Sequence, residues 1–268
     1  MNTLKEIIKE HKAFSKQIIK LSRSELITTY KGAALGPAWA VVNPAITIFV
    51  YWFAFQIGLR TNGNVRGVPF FLFLAVGMIP WFFMKESITQ GANCFRAKKA
   101  FVTKMRFPVS TIPTFTMLSK LFVTAILTAL IYILVLIMGV KPSIYNLQIF
   151  YYMICMFLFF TVLAWTTAPL SVISKDFLNI VRAVITAIFW LSGIVWDPYS
   201  LSNPVLRRIV LASPVSYISQ GYRNSFLYEK WFFETRFETV MFFAWLAVFF
   251  VIGLYTYKKL RKTMPDVL

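Results

Sequence analysis

The chain is short of the side chains that do chemistry. Its 268 residues include 10 Asp and Glu, one His and two Cys. A glycosyltransferase or phosphatase site needs clustered carboxylates or histidines to hold a metal or move protons, and no Asp-x-Asp pair occurs. Cys94 and Cys155 show no disulfide-scaffold pattern and no metal-ligand spacing. There is no G-x-x-x-x-G-K-[ST] phosphate loop, so the chain does not itself hydrolyse ATP. Charge of any sign is scarce, at 14%, against about 25% in soluble domains. Too little polar material is left to wet a cytosolic globule of this size. The charge that does occur is lopsided: 28 Lys and Arg give a formal net charge of +18. Such an excess suits nucleic acid, a membrane surface or acidic partners, and its placement decides among them.

What is present is long uncharged runs. Lys31 and Arg60 enclose 28 residues, Arg66 and Lys85 enclose 18, Lys120 and Lys141 enclose 20, Lys141 and Lys175 enclose 33, and Glu238 and Lys258 enclose 19. A bilayer core about 30 Å thick takes roughly 20 helical residues. The 14 residues between Arg182 and Asp197 reach that length if the helix starts near Phe177 and Arg182 snorkels to the head groups. The pattern predicts an all-α membrane protein with six spans, near 37–59, 68–89, 114–139, 147–173, 177–196 and 238–257. An even number puts both termini on one side. The segments on that side hold 18 of the basic residues and the opposite segments hold eight, which predicts cytosolic termini by the positive-inside rule. The first 30 residues alternate charge with apolar residues, which predicts no secretory signal peptide.

Three segments outside the spans stand out. Lys5, Lys9, Lys12, Lys16 and Lys20 recur every three or four residues, with Leu4, Ile7, Ile8, Phe14, Ile18 and Leu21 opposite. Residues 1–36 therefore predict an amphipathic helix lying on anionic lipid, or packed on protein, or both. His11 interrupts the apolar side and reads as an interfacial residue, not a ligand. In the internal loop 90–113, basic residues alternate with Phe95, Phe101, Val102, Met105 and Phe107 before Pro108. That pattern predicts a short amphipathic helix over about 95–107 presenting aromatic knobs beside positive charge, a docking surface for another protein. The 14 uncharged residues between Arg208 and Arg223 are too few to cross. Broken at Ser213-Pro214, they suit two re-entrant half-helices within about 197–236, or an amphipathic helix on the outer surface. Lys85, Glu86 and Lys120 are candidates for the ionisable groups an ion-coupled carrier keeps inside its spans. Lys85 and Glu86 fall about one turn from the expected inner end of span two, a structural place for them; a deeper span would make Glu86 a pathway or hinge residue.

Several motifs carry a family resemblance. Thr29-Tyr30-Lys31-Gly32, Leu35-Gly36-Pro37-Ala38-Trp39 and Asn43-Pro44 resemble the opening of the first span in type-2 ABC exporter permeases. Lys104-Met105-Arg106-Phe107-Pro108 followed by Pro113 resembles their cytosolic coupling-helix region, and Ser174-Lys175-Asp176 their short inner loop. Ala212-Ser213-Pro214 through Gly221-Tyr222-Arg223, ending in Phe226 to Glu234, resembles the outer segment of the polysaccharide-exporting branch. The ending is similar to that of wall teichoic acid exporter permeases of Gram-positive bacteria. The resemblance covers nearly the whole chain.

The resemblance implies a bacterial plasma-membrane homodimer with two cytosolic ATPase subunits that bind ATP and Mg, no cofactor in this chain, and no nucleic-acid partner. The domains become a cytosolic interface helix (1–36), a permease domain (37–257) and a basic tail (258–268). The cargo implied is a lipid-linked anionic glycopolymer, wall teichoic acid first, O-antigen or capsule as the alternative. Its lipid would pass a gate between the first and fifth spans. Carried onto this chain, Phe101, Lys104, Met105, Arg106 and Phe107 meet the ATPase. The lysines of the N-terminal helix and Lys31 meet lipid or substrate phosphate. Trp39, Tyr51, Trp52, Phe53, Phe55, Trp190 and Trp196 become pathway or gate residues, their other reading being ordinary interfacial anchors. Pro214, Tyr217, Tyr222 and Arg223 mark the re-entrant segment. An ion-coupled carrier acting alone and a non-transporting scaffold are the competing classes.

Overall fold

A computed structural model describes residues 2–59, 63–105, 107–261 and 263–268. The chain opens with α1 (Asn2–Ala13) and α2 (Ser15–Tyr30), separated by a break at Phe14. α3 (Trp39–Trp52) contains Pro44 and continues through a π-helical stretch, Phe53–Gly58. A two-residue hairpin follows, β1 (Asn64–Val65) with β2 (Val68–Pro69). Its turn holds Arg66 and Gly67 at φ 48° and 82°, the positive values that a two-residue hairpin turn of the primed type requires. This hairpin is the one departure from an all-helical chain among the described residues. Then come α4 (Phe70–Ala97), α5 (Lys99–Thr103), α6 (Thr111–Ile137), α7 (Gln148–Ile173), α8 (Lys175–Leu191), α9 (Pro204–Leu211), α10 (Pro214–Arg223), α11 (Arg236–Leu260) and α12 (Met264–Val267).

Among the described residues, five helical stretches are long and apolar enough to cross a membrane: 36–58, 70–97, 111–137, 144–173 and 236–260. They coincide with five of the six expected spans. The remaining one falls on α8, whose 17 residues give about 26 Å of helix, slightly short of a hydrocarbon core. α8 stops earlier than the expected 196 because the chain turns at Gly193, φ 62°, where a Cβ would come within 2.2 Å of Pro198 Cγ. It still runs from one end of the bundle to the other. Its start adjoins Ser171 and Val172, whose carbonyls accept from Arg96 beside α5. Beyond its end, Asp197 pairs with Arg66 of the hairpin turn at 3.0 Å.

Burial ranks the helices. In its most apolar stretch α4 is 78% buried and the α7 segment 56%, against 11% for α3 and for α11. α4 and α7 therefore form the centre, and α3 and α11 turn apolar side chains outward, where hydrocarbon tolerates them. One large apolar cluster fills the middle of the bundle. A second gathers at the end that carries the chain termini, where Ile7 and Ile18 of α1 and α2 meet Phe95, Val102, Phe115, Trp165, Val172 and Tyr257.

Two expected boundaries move. α4 does not end near residue 89 but runs to Ala97, because Ile88, Ala92 and Phe95 continue its buried stripe. Lys85 and Glu86 thus lie within the helix, three turns from its end. For the same reason the helix expected over 95–107 shrinks to α5: Phe95 belongs to α4 and is fully buried, and α5 ends five residues before Pro108.

Candidate functional site

At the terminal end the N-terminal helices lie on protein through their apolar side. Glu10 accepts from the Ser110 hydroxyl, Lys98 pairs with Glu25 at 3.1 Å, and Arg261 pairs with Glu6 at 2.8 Å. His11, half-buried, packs on protein: Nδ1 donates to the Ile7 carbonyl, Nε2 accepts from Thr114 Oγ1, both at 2.8 Å, and the ring meets the edge of Trp165. Lys5, Lys9, Lys12, Lys16, Lys20 and Lys31 are exposed, with Ile8, Ile19 and Ile27 also exposed on the outer side. At α5 the expected aromatic knobs point inward. Phe101 and Phe107 contact each other and Phe115, and Phe107 also meets Phe14, because rings beside an apolar cluster gain more by joining it than by facing water. Lys104 and Met105 remain exposed; Arg106 lies outside the described residues.

The expected pathway aromatics divide. Tyr51, Phe55 and Trp190 come together where α3 meets α8, with Tyr51 5.3 Å from Phe189, 6.4 Å from Trp190, and Phe55 6.3 Å from Trp190. Trp81 of α4 completes the seam, 5.3 Å from Phe189. Trp52 turns away to donate to Gln56 and contact Phe71. Phe53 faces outward, and Trp196 folds back to donate to the Trp190 carbonyl at 2.8 Å.

At the far end α9 and α10 are two short helices broken at Ser213-Pro214, with Pro214 in the first turn of α10. α10 is buried along its length. Tyr217 shares a 2.9 Å hydrogen bond with Tyr151, and Tyr222 approaches Thr128. Arg223 is fully buried without a carboxylate. Nε donates to the Phe73 carbonyl at 3.0 Å, Nη1 to Gly193 at 2.9 Å and Nη2 to Ile194, and the guanidinium lies 3.5 Å from the Phe73 ring centre. Gly77 makes room for it: a Cβ there would lie 2.2 Å from Nη2. Nearby, burial and then Glu238 push the Tyr199 phenol well above its usual range, so it stays protonated and donates to Glu238.

A cleft of about 440 Å³ opens with α4 as its floor, α3 and α6 as its walls, and the end of α2 as its rim. Lys85, Glu86 and Lys120 line it, with Thr29, Tyr30, Trp39, Asn43, Ser119 and Thr124. Of the expected pathway residues only Trp39 is there. Gln90 donates to Glu86. Among the described residues neither lysine ammonium has a hydrogen-bond or ion-pair partner. Burial and then Glu86 raise the Tyr30 phenol, which remains a neutral donor at the rim. The grouping escaped sequence reading because Lys85 and Lys120 are 35 positions apart; the unbroken apolar stripe from Met84 to Phe95 was the signal that α4 runs on.

The ABC-2 type transporter family matches residues 16–227, from α2 to the turn after α10. An O-antigen export system permease protein RfbA of Myxococcus xanthus is 26% identical over 222 residues, 82% of this chain and 84% of its own length. A protein of the same description from Klebsiella pneumoniae is 21% identical over 255 residues, 94% of each chain.

Proposed function

The chain belongs to the ABC-2 type transporter family, and from that premise we propose that it is the membrane subunit of an ATP-driven exporter of lipid-linked polysaccharide. Two copies form the permease, each served by a cytosolic ATPase that binds ATP and Mg. α8 is the sixth span and both termini face the cytosol. The seam between α3 and α8 is the observation that carries the reading. Rings meet across it and, among the described residues, no ion pair does, so it can part without separating buried ion pairs, and aromatic faces suit both sugar rings and a passing acyl chain. The exposed Lys104 and Met105 of the segment after α5, with Phe101 and Phe107 behind them, form the seat for the ATPase, and Arg106 of the same sequence run belongs to it. The lysine stripe of α1 and α2, with Lys31, rests on the anionic inner leaflet and meets the cargo's phosphate. α9 and α10, with Pro214, Tyr217, Tyr222 and Arg223, form a re-entrant support under the outer mouth.

The cargo is a glycopolymer of the O-antigen class, in keeping with the names of both relatives. A teichoic acid cargo rests on the 221–234 stretch alone. Co-purification in mild detergent tests the assembly: an ATPase subunit bearing a phosphate loop is expected to travel with the chain, and a charge reversal at Lys104 and Arg106 to uncouple ATP hydrolysis from export. Transport that persists without ATP and without such a subunit would leave the ion-coupled carrier standing instead. ATPase stimulation by O-antigen-type lipid glycans but not by lipid-linked teichoic acid is the expected outcome with the complete complex.

A further inference from the structure

The cleft between α3, α4 and α6 is separate from the seam, which lies at the opposite end of α3. Its three charges sit within the lengths that cross the membrane. Glu86 is 16 residues on from Phe70, about 24 Å along the helix, and Lys120 nine residues on from Thr111, about 14 Å along. Measured from opposite ends, both fall toward the terminal side, near head-group depth. Charges inside spans normally pair with one another or line a polar pathway. Here no two of the three approach within 4.0 Å. Two unpartnered ammonium groups call for an anion. A carboxylate in the same cleft, bonded by the neutral Gln90 and with no cation within 4.0 Å among the described residues, disfavours a ligand that is anionic throughout and has room for a cationic donor.

We propose that this cleft holds a bilayer aminophospholipid, its phosphate on Lys85 and Lys120 and its primary ammonium on Glu86. The volume, about 440 Å³, admits a phosphoethanolamine head group and its glycerol. The Tyr30 phenol and the Asn43 amide supply donors for the ester oxygens, while Thr29, Ser119 and Thr124 already donate to carbonyls of their own helices. The acyl chains have a path. Val50 continues the cleft-lining side of α3 one turn beyond Thr47, and Leu130 does so for α6 beyond Leu127; both are exposed, at 55% and 43%. The lipid thus lies as a wedge between the first and third apolar helices with α4 behind it. Ethanolamine fits and choline does not, because a quaternary ammonium has no N–H to donate to Glu86.

The test uses the full chain, purified and stripped of lipid, then exposed to phosphatidylethanolamine, phosphatidylglycerol, phosphatidylcholine or a polyprenyl phosphate, with retained lipid read by native mass spectrometry. Phosphatidylethanolamine is expected to bind about tenfold more tightly than phosphatidylglycerol or phosphatidylcholine, the factor one charge-assisted hydrogen bond confers. Glu86→Gln is expected to bring phosphatidylethanolamine and phosphatidylglycerol within about twofold of each other. Lys85→Gln with Lys120→Gln is expected to lose all four lipids. Equal binding of phosphatidylglycerol by the unaltered chain, or a preference that survives Glu86→Gln, overturns the proposal. So does displacement by polyprenyl phosphate at equal concentration, which would make the cleft a cargo site. If the double lysine variant fails to fold, Glu86→Gln decides alone, since it changes an exposed side chain while keeping its shape.

Discussion

Arg223 and Lys120 are both cations inside an apolar bundle, and their surroundings could hardly differ more. Arg223 is enclosed and fully used: three of its nitrogens donate to carbonyls of α4 and of the turn after α8, a ring covers one side, and Gly77 is hollowed out beneath it. Lys120, half-buried, faces an opening beside the exposed Lys85 and Glu86; neither ammonium has a hydrogen-bond or ion-pair partner among the described residues, and Glu86 has the Gln90 amide. A buried polar group that is satisfied holds a structure together, and one left unsatisfied is costly unless something else arrives to satisfy it. The far-end cation is thus part of the scaffold, a pin that fixes α10 to α4 and to the end of α8. The terminal-end charges line the cleft that we assign to a lipid head group.

This contrast predicts opposite responses to mutation. The largest effect is expected at Arg223→Ala, which removes three charge-assisted hydrogen bonds to the Phe73, Gly193 and Ile194 carbonyls, Gly193 keeping the Gln220 amide. Each hydrogen bond to a charged group contributes about 1.5–3 kcal/mol, so thermal unfolding in detergent should show a loss of at least about 3 kcal/mol. Arg223→Lys should not restore it, since an ammonium cannot reproduce the planar fork. Next comes Gly77→Ala, whose new methyl would collide with the guanidinium; a cost of about 1–3 kcal/mol, the range for overpacking, is expected in the same assay. The combined change Lys85→Gln, Glu86→Gln and Lys120→Gln should move stability by no more than about 0.5 kcal/mol in lipid-free detergent while changing which lipids co-purify. A triple variant as unstable as Arg223→Ala would erase the distinction between the two regions. Of the same small order is Glu6→Gln, which breaks a largely exposed pair with Arg261. Glu6 holds the Arg261 guanidinium slightly above its ordinary pKa, yet a surface pair contributes only about 0–1 kcal/mol, so a measurable loss of unfolding temperature there would mean that the N-terminal helix is less independent than its exposure suggests.

Much of the architecture was legible because hydrocarbon enforces a simple rule. Uncharged runs of about 20 residues can be read off the sequence, and five long helices lie where those runs lie. The rule misleads where a charge sits inside a helix. Lys85 and Glu86 looked like the end of a span, yet the apolar stripe through Ile88, Ala92 and Phe95 carries α4 on for three more turns. Phe95 then could not belong to a docking helix, and the rings of Phe101 and Phe107 were drawn into the cluster that Phe115 anchors. α8 is short because of one left-handed glycine, Gly193, a conformation that composition does not announce. The site was harder to read than the fold. Tyr51, Phe55 and Trp190 were picked out as aromatics near span ends, but only tertiary contact distinguishes them from Trp52 and Phe53, which have the same chemistry and different neighbours. The cleft joins residues from four helices and leaves no local signature.

The most direct test of the central claim is ATP-dependent movement of a lipid-linked O-antigen-type oligosaccharide across proteoliposomes that contain this chain and its ATPase partner. Lectin access to the glycan on the far leaflet reports its passage. The account predicts translocation that requires hydrolysable ATP and stops when Tyr51→Cys and Trp190→Cys are cross-linked across the seam, with recovery on reduction; Cys94 and Cys155 are buried and should not interfere. Translocation that continues at full rate with the seam locked, or that needs no ATP, would contradict it.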